Sequence, residues 1–309
     1  IPKPRSGSGS PAHTCRMNRT GAFQRKRERN DGKMPKHRFP GGKYLLIHMD
    51  DAGVSYAANR AVADLFGKGI ARSASILING PWAYDMVRWS RQNPSRDVGV
   101  HLTHTCEYDR MRWKPAADSG SVPTLLDADG FLPKTTHEVA ERADGKEFRT
   151  EMEAQIRQAE RWGLRPSHID SHMVSVAARP DFYRAYLELA AQHGLTAKLF
   201  GWAPSDPEIH RLEAKIPTAP SVDIRIPAAD SLEQMKRNFH AALNALGDGF
   251  YLHTVHPVAD MEENRYLMPE FHARRCLEYR FYMDDEVKAI IDSCGFRIIS
   301  WGDVPSLIA

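Results

Sequence analysis

The stretch YLLIHMDDAG, residues 44–53, ends an apolar run on two adjacent carboxylates, Asp50 and Asp51. Packing gives no reason for this, because burying an unpaired carboxylate is strongly unfavourable. A bound divalent cation would offset that penalty. One Asp would then bind the cation, and its neighbour would remain free as a base that takes a proton from a metal-activated water. The structural alternative is that one of them caps the helix that follows.

Imidazoles and a further carboxylate follow other apolar runs, in the motifs GVHLTH, HIDSH and LHTVHP. A single histidine at the end of a strand is more often a hydrogen-bonded structural residue than a metal ligand. One carboxylate and two imidazoles from three strands, however, make a three-ligand metal site with open positions. The candidates at these strand ends are His101, His168, Asp170, His172, His253 and His256.

The elements that must position these side chains are short apolar runs that alternate with helical patterns. The predicted strands are YLLIHM, SASILIN, DVGVHLTHT, PSHIDSH, LTAKLF, VDIRI, GFYLHTVHPV and FRIISW. Such alternation predicts a parallel sheet covered by helices, and no Gly-x-Gly-x-x-Gly or Walker-type loop favours a nucleotide-binding version. We predict an α/β fold, an irregular (β/α) TIM-like barrel forming one domain over residues 43–309. Its active site would lie at the carboxyl ends of the strands.

Residues 1–42 are predicted to be a disordered basic tail, rich in Pro, Gly, Ser and Arg and without apolar periodicity. Residues 1–43 contain 12 Lys/Arg and 2 Asp/Glu, whereas residues 44–309 contain 30 and 37. The acidic body therefore argues against a nucleic-acid partner. The tail is interpreted either as a segment that touches a polyanion or as a non-native extension, translated upstream of a start at Met17 or Met34.

Membrane and disulfide signals are weak in this sequence. No run of eighteen apolar residues is present, so no membrane partner is expected. The four cysteines are widely separated, without Cys-x-x-Cys spacing, which is typical of reduced thiols in a cytoplasmic protein. The oligomeric state is left open, with a homo-oligomer among the alternatives.

The motifs DDAG, ASILINGPWA, VGVHLT, HIDSH, a late HP and GFRIISWGDV occur in order between about residues 44 and 302. They resemble the ChbG/YdjC family of carbohydrate deacetylases. The resemblance implies an irregular (β/α) barrel and one divalent metal ion, magnesium or zinc. It also implies hydrolysis of a linear amide C–N bond, with acetate removed from an N-acetylated sugar or oligosaccharide.

The resemblance further implies a role for each site residue. Asp51 would bind the metal ion together with His101 and His172. Asp50 would be the general base. His256 would lie opposite and either protonate the leaving amine or stabilise the tetrahedral oxyanion.

Other positions are predicted to surround this site. Asp170 would orient a ligand histidine. The polar stretch HLTHTCEYDRMRWKP is a predicted substrate loop. In it, Trp113 would either stack on a sugar ring or anchor the loop in the core, and His104 is interpreted as a surface residue. Val174 stands where family members often have a further His, and we expect it to line the substrate rather than to bind metal.

Three alternatives remain at this stage. The same site would serve a metal-dependent O-acyl carbohydrate esterase, or the barrel would bind a glycan without catalysis. The spacing His168-x-Asp170 with His256 and Arg265 also mimics the facial triad of iron oxygenases. Those oxygenases are all-β proteins, and this assignment leaves Asp50, Asp51 and His101 without a role.

Overall fold

A parallel sheet of eight strands forms the centre of the protein in the computed structural model, which describes residues 41–217 and 222–308. Seven of the eight predicted strand segments contain one of these strands, and the first, YLLIHM, lies within the longer β1. They are β1 (Lys43–Ala52), β2 (Ser73–Ile76), β3 (Asp97–Leu102), β4 (His168–Ser171), β5 (Thr196–Ala197), β6 (Val222–Asp223), β7 (Gly249–Val255) and β8 (Phe296–Ile298).

Helices connect the strands, as the alternation predicts. They are α1 (Tyr56–Lys68), α2 (Ala83–Gln92), α3 (Thr136–Arg142), α4 (Gly145–Arg161), α5 (Pro180–His193), α6 (Pro207–Glu213), α7 (Leu232–Asn244), α8 (Glu262–Leu267), α9 (Pro269–Met283), α10 (Asp285–Ser293) and α11 (Val304–Leu307). In the described part of the chain, none of them combines the length and apolar character that a membrane span requires.

The end of β1 is followed by a helix that the aspartates do not cap. Ser55 is the N-cap of α1, and its hydroxyl accepts the backbone N–H of Ala58 at 3.1 Å. The helix-cap alternative for Asp50 and Asp51 is therefore wrong. At its other end α1 stops at Gly69, whose φ of 77° lies in the left-handed region that favours glycine.

The strand order is β5-β4-β3-β2-β1-β7-β6, with every pair parallel. One edge of β1 pairs with β7, and its other edge is shared by β8 at the start of the strand and β2 at its end. Among the described strands no pairing joins β5 to β6. The predicted irregular (β/α) barrel is confirmed as the fold class. The predicted tail falls outside the described residues, except for residues 41 and 42.

Alternate residues of β1 face two different cores. Leu45 and Ile47 pack in the main core, whereas Tyr44 and Leu46 pack in a second cluster that includes Trp301. With a period of two, His48 and Asp50 continue the face of Tyr44 and Leu46. The barrel interior is therefore apolar near the amino ends of the strands and polar at their carboxyl ends.

An irregularity at the end of β1 changes this period. Between Met49 and Ala52 the strand advances three residues while β2 advances two, which is a β-bulge. Asp51 lies inside the bulge with φ of 63°, a left-handed conformation that Asp tolerates better than most residues. The bulge and this conformation explain how two adjacent carboxylates can face the same pocket.

Gly99 of β3 allows β4 to pack closely inside the barrel. A Cβ atom at this position would lie 2.6 Å from ring atoms of His168 and closer still to its carbonyl oxygen. We predict that Gly99→Ala lowers the free energy of unfolding by about 1–3 kcal/mol through overpacking. Gly67→Ala in α1 is the matched control, because a Cβ atom added there would meet no neighbour within 4 Å. Urea unfolding measures both, and equal stability of the two variants would contradict the prediction.

Candidate active site

Three side chains converge at the carboxyl ends of β1, β3 and β4. The donor atoms of Asp51, His101 and His172 all lie within 4.8 Å of one another. His101 Nε2, at 3.3 Å, and His172 Nδ1, at 3.1 Å, approach the same oxygen, Asp51 Oδ1. Between 1% and 3% of each residue is exposed. The structure thus brings together the three residues that the family resemblance implies as metal ligands.

The second ring nitrogen of each histidine is held by a carboxylate. His101 Nδ1 lies 2.8 Å from Asp170 Oδ1, and His172 Nε2 lies 2.9 Å from Glu107 Oε2. Metal-binding histidines commonly have such a partner, which sets the ring orientation and the tautomer. Each imidazole therefore presents its other nitrogen to Asp51.

These residues fit a divalent cation. His101 Nε2 is buried and has no hydrogen-bond partner among the described residues. Burial alone would lower the pKa of both histidines, but nearby carboxylates raise the pKa of His101 well above its usual range and that of His172 to about 9. The site thus attracts positive charge. Two imidazoles and one carboxylate are typical ligands of zinc and similar metals.

Asp50 lies beside this group. Its Oδ2 is 3.9 Å from His101 Nε2 and 4.0 Å from His256 Nε2. Its Oδ1 is buried and lies 3.3 Å from His48 Nε2 without hydrogen-bond geometry. Burial, followed by the charge of Asp170, raises the pKa of Asp50 to about 8. Asp50 is therefore a carboxylate with few hydrogen bonds and a high affinity for a proton.

Asp170 is held at the site by three side-chain contacts. In addition to His101, it accepts hydrogen bonds from Ser75 Oγ and His48 Nε2, each at 3.0 Å. Burial acts to raise the pKa of Asp170, but His101 and His48 outweigh it and hold the pKa well below its usual range. Asp170 thus contacts His101, and its role in orienting that histidine stays a prediction.

Asp51 has a second charged partner from a distant helix. Arg275 of α9 donates from Nη2 to Asp51 Oδ2 at 2.8 Å, and both side chains are buried. Burial would raise the pKa of Asp51, but Arg275 and His172 hold it well below its usual range. Adjacent aspartates therefore have opposite electrostatic surroundings.

His256 follows β7 and lies at the edge of the site. About a third of its side chain is exposed (30%), and its backbone N–H donates to Glu278 Oε2 at 2.8 Å. Although part of the side chain is exposed, desolvation by the surrounding protein lowers the pKa of His256 to about 4, so its imidazole is neutral near pH 7. A neutral imidazole can donate one N–H to a bound group.

Two residues of the predicted substrate loop are buried. Trp113 is 4% exposed, its indole N–H donates to Thr105 O at 3.0 Å, and its ring packs edge-on against His172. Of the two alternatives for Trp113, these surroundings favour the loop anchor, and stacking on a sugar ring stays a prediction. The surface assignment of His104 is wrong, because this residue is fully buried and stacks on Phe148.

The segment after His172 is strained. Met173 and Val174 have φ of 49° and 52°, and a β-branched residue in this region is a genuine outlier. Such outliers concentrate at functional sites. Val174 is half-buried, and its assignment as a substrate-lining residue stays a prediction.

Three charged residues of the site were absent from the sequence prediction. Glu107 lies within the predicted substrate loop, but the sequence did not predict its contact with His172. Lys198 follows β5, and its Nζ lies 3.1 Å from Thr254 Oγ1 on the site side of the sheet. The rule applied to the other strand ends could have found Lys198. Arg275 is 224 residues away from Asp51, and no pattern in the sequence indicated their contact.

The iron-oxygenase alternative is wrong. The sheet is parallel and alternates with helices, which no jelly roll does. Arg265, which that alternative needs in the site, instead binds Asp260 on the surface at 2.7 Å. His168 faces the barrel interior, where its Nδ1 lies 2.8 Å from Ser167 Oγ.

A family model described as "YdjC-like protein" matches residues 44–293. The chain belongs to the YdjC-like family. The matched range contains all the residues of the site described above.

Several curated proteins are similar to this YdjC-like chain. One from Thermoanaerobacter pseudethanolicus, named carbohydrate deacetylase, is 27% identical over 249 residues, covering 81% of this chain and 94% of that protein. A carbohydrate deacetylase from Thermus thermophilus is 28% identical over 84% of this chain and 93% of its own length. A chitooligosaccharide deacetylase from Serratia marcescens is 31% identical over 51% of this chain and 59% of its own length.

A solved structure supports the fold assignment of the YdjC-like chain. It is that of a protein from Enterococcus faecalis described as a candidate for cellobiose-phosphate cleavage, with a TM-score of 0.71. The match covers 84% of this chain and 98% of that one at 22% identity. At this identity the similarity shows the fold alone.

The buried pair between Asp51 and Arg275 generates a stability prediction. Arg275→Met should lower the free energy of unfolding of the chelator-treated protein by about 3–5 kcal/mol, because Asp51 loses a buried partner. Arg274→Met is the matched control. The side chain of Arg274 is 75% exposed and pairs with Glu278, so the loss should stay below about 1 kcal/mol. Urea unfolding measures both, and similar losses would argue against the importance of the Asp51 contact.

Proposed function

We propose that this YdjC-like protein is a metal-dependent hydrolase that removes acetyl groups from N-acetylated sugars or oligosaccharides. The observation that carries the proposal is the convergence of Asp51, His101 and His172 on one point, with the unpaired oxygen of Asp50 beside it. Two relatives that are named carbohydrate deacetylase support the substrate class, because the similarity covers more than nine-tenths of their length.

Asp51, His101 and His172 would hold one divalent cation. When bound, the cation would act as a Lewis acid that polarises the acetyl carbonyl and lowers the pKa of a water molecule. Two imidazoles and a carboxylate favour zinc over magnesium, because magnesium prefers oxygen ligands. Asp170 and Glu107 keep the two imidazoles in position through their outer nitrogens.

Asp50 and His256 would perform the proton chemistry. Asp50 takes a proton from the attacking water as its oxygen bonds to the acetyl carbon. His256, neutral near pH 7, donates a hydrogen bond from its N–H to the carbonyl oxygen as negative charge develops there. The C–N bond then breaks, the amine nitrogen receives the proton that Asp50 holds, and acetate and an amino sugar leave.

Two other functions use the same pocket. An O-acyl carbohydrate esterase needs the same attack on a carbonyl but releases an alcohol, which depends less on protonation of the leaving group. A glycan-binding barrel without catalysis would not need Asp50 and His256 to flank the ligand cluster. The presence of both residues within 4.0 Å of each other favours an enzyme.

Acetate release tests the proposed function. Chelator-stripped protein, resupplied with zinc, magnesium or manganese, is offered a panel of N-acetylated and O-acetylated sugars. We expect metal-dependent acetate release from at least one N-acetylated sugar. Release from O-acetylated sugars alone would establish the esterase alternative, and no release from protein that binds metal would refute deacetylation of the sugars tested.

Asp50→Asn tests the role of the base. The amide is nearly isosteric but cannot accept the proton from water, so kcat should fall by about 10²–10⁴-fold. The metal content should stay unchanged, because Asp50 is not one of the three ligands. Turnover that survives in Asp50→Asn would refute the assignment of Asp50 as the base.

His172→Ala tests the ligand set. The variant should lose about one equivalent of bound metal per chain, together with turnover. His137→Ala, on the exposed surface of α3, is the control and should keep both. Metal analysis after dialysis measures the content, and unchanged metal in His172→Ala would move the site elsewhere.

A further inference from the structure

A second group of metal-ligand side chains lies where the segment after β7 meets α9. Asp260 follows β7, and His272 and Cys276 belong to α9. Their donor atoms all lie within 4.8 Å of one another. Asp260 Oδ1 lies 3.0 Å from His272 Nε2, and Cys276 Sγ lies 3.6 Å from the same nitrogen.

Local structure brings these three side chains together. His272 and Cys276 are four residues apart in a helix and therefore lie on the same face. The segment that carries Asp260 is fixed by two backbone hydrogen bonds. The N–H of Val258 donates to Arg275 O at 3.3 Å, and that of Ala259 donates to Ala57 O at 3.1 Å.

The separation of Cys276 Sγ and His272 Nε2 matches that between two ligands of a tetrahedral metal ion, although Sγ also lies 3.7 Å from His272 Nδ1. Bonds of about 2.3 Å from zinc to sulfur and about 2.05 Å from zinc to nitrogen give a separation of about 3.6 Å between the two ligand atoms. Thiolate, imidazole and carboxylate together favour zinc or a similar metal over magnesium or calcium. This cluster contains sulfur, whereas the Asp51 cluster contains only nitrogen and oxygen donors.

Solvent could supply a fourth ligand to this cluster. The hydrogen bonds that Arg265 and His272 make to Asp260 all end on Oδ1. Asp260 is exposed, so water can reach the fourth position, while Cys276 is buried. Burial raises the pKa of the Cys276 thiol to about 11, so a metal ion must displace its proton to solvent on binding.

We propose that Asp260, His272 and Cys276 form a second, separate metal site that binds a zinc-type cation. Bound there, the cation joins the segment after β7 to α9. That segment begins at His256, and α9 carries Arg275, so the site would hold two residues of the candidate active site in register without touching a substrate.

Cobalt spectroscopy tests this proposal on the full chain. Cobalt(II) bound by a thiolate has an intense near-ultraviolet charge-transfer band, which nitrogen and oxygen ligands do not produce. Stripped wild-type protein titrated with cobalt should develop this band and bind about two equivalents per chain, one in each site. Cys276→Ser should lose the band and bind about one equivalent.

Two controls separate this site from the other thiols and from the active site. Cys294→Ser removes a similarly buried cysteine and should keep the band. His172→Ala should keep the band even if it loses one cobalt equivalent and all turnover. Loss of the proposed active-site metal can therefore be distinguished from loss of this second site.

His272→Gln changes one of the proposed ligands. The variant, verified as folded by circular dichroism, should weaken the band.

Two results would overturn the proposal. The first is a wild-type protein that shows no charge-transfer band at saturating cobalt, a result that needs no variant to fold. The second is a band of unchanged intensity in Cys276→Ser, which would assign the thiolate to another cysteine.

Discussion

The interior of the barrel must accommodate three carboxylates, Asp50, Asp51 and Asp170, at the carboxyl end of one sheet. All three are buried, and an isolated charge there would be strongly unfavourable. Histidine rings from β1, from β3 and from the end of β4 provide part of the compensation, and Arg275 of α9 provides another part. The docking of α9 on this end of the sheet thus contributes to the balance of these charges, and a bound cation would complete it.

This balance treats the two adjacent aspartates differently. Arg275 and His172 lower the pKa of Asp51, whereas burial and Asp170 raise that of Asp50. Neighbouring acids whose surroundings separate their pKa values are a common arrangement in acid–base catalysis. The difference supports Asp51 as the ligand and Asp50 as the proton acceptor, and the bulge allows both side chains to face one pocket.

Much of this could be predicted from the sequence, because strand ends follow a simple rule. Apolar runs predicted segments that overlap all eight strands, and parallel order placed the polar residues at their carboxyl ends on one edge of the sheet. The choice of Asp51, His101 and His172 among those residues came from the family resemblance. The bulge could not be predicted, since a shift of register depends on the neighbouring strand rather than on local sequence. The contacts of Glu107 and Arg275 were also beyond reach, because a loop and a remote helix have no fixed register relative to the sheet.

The same distinction separates two kinds of support within the site. The proposed ligands and Asp50 lie at the ends of strands, whose positions are set by the backbone hydrogen bonds of the sheet. Glu107 and Arg275 come from a loop and a helix, which occupy their places only when these elements pack on the sheet. The sheet alone would therefore place His172 near Asp51 but leave the outer nitrogen of His172 and one oxygen of Asp51 without their charged partners. Docking of the loop and of α9 completes the electrostatics of the site, so local opening of either element should weaken the site before the sheet itself is lost.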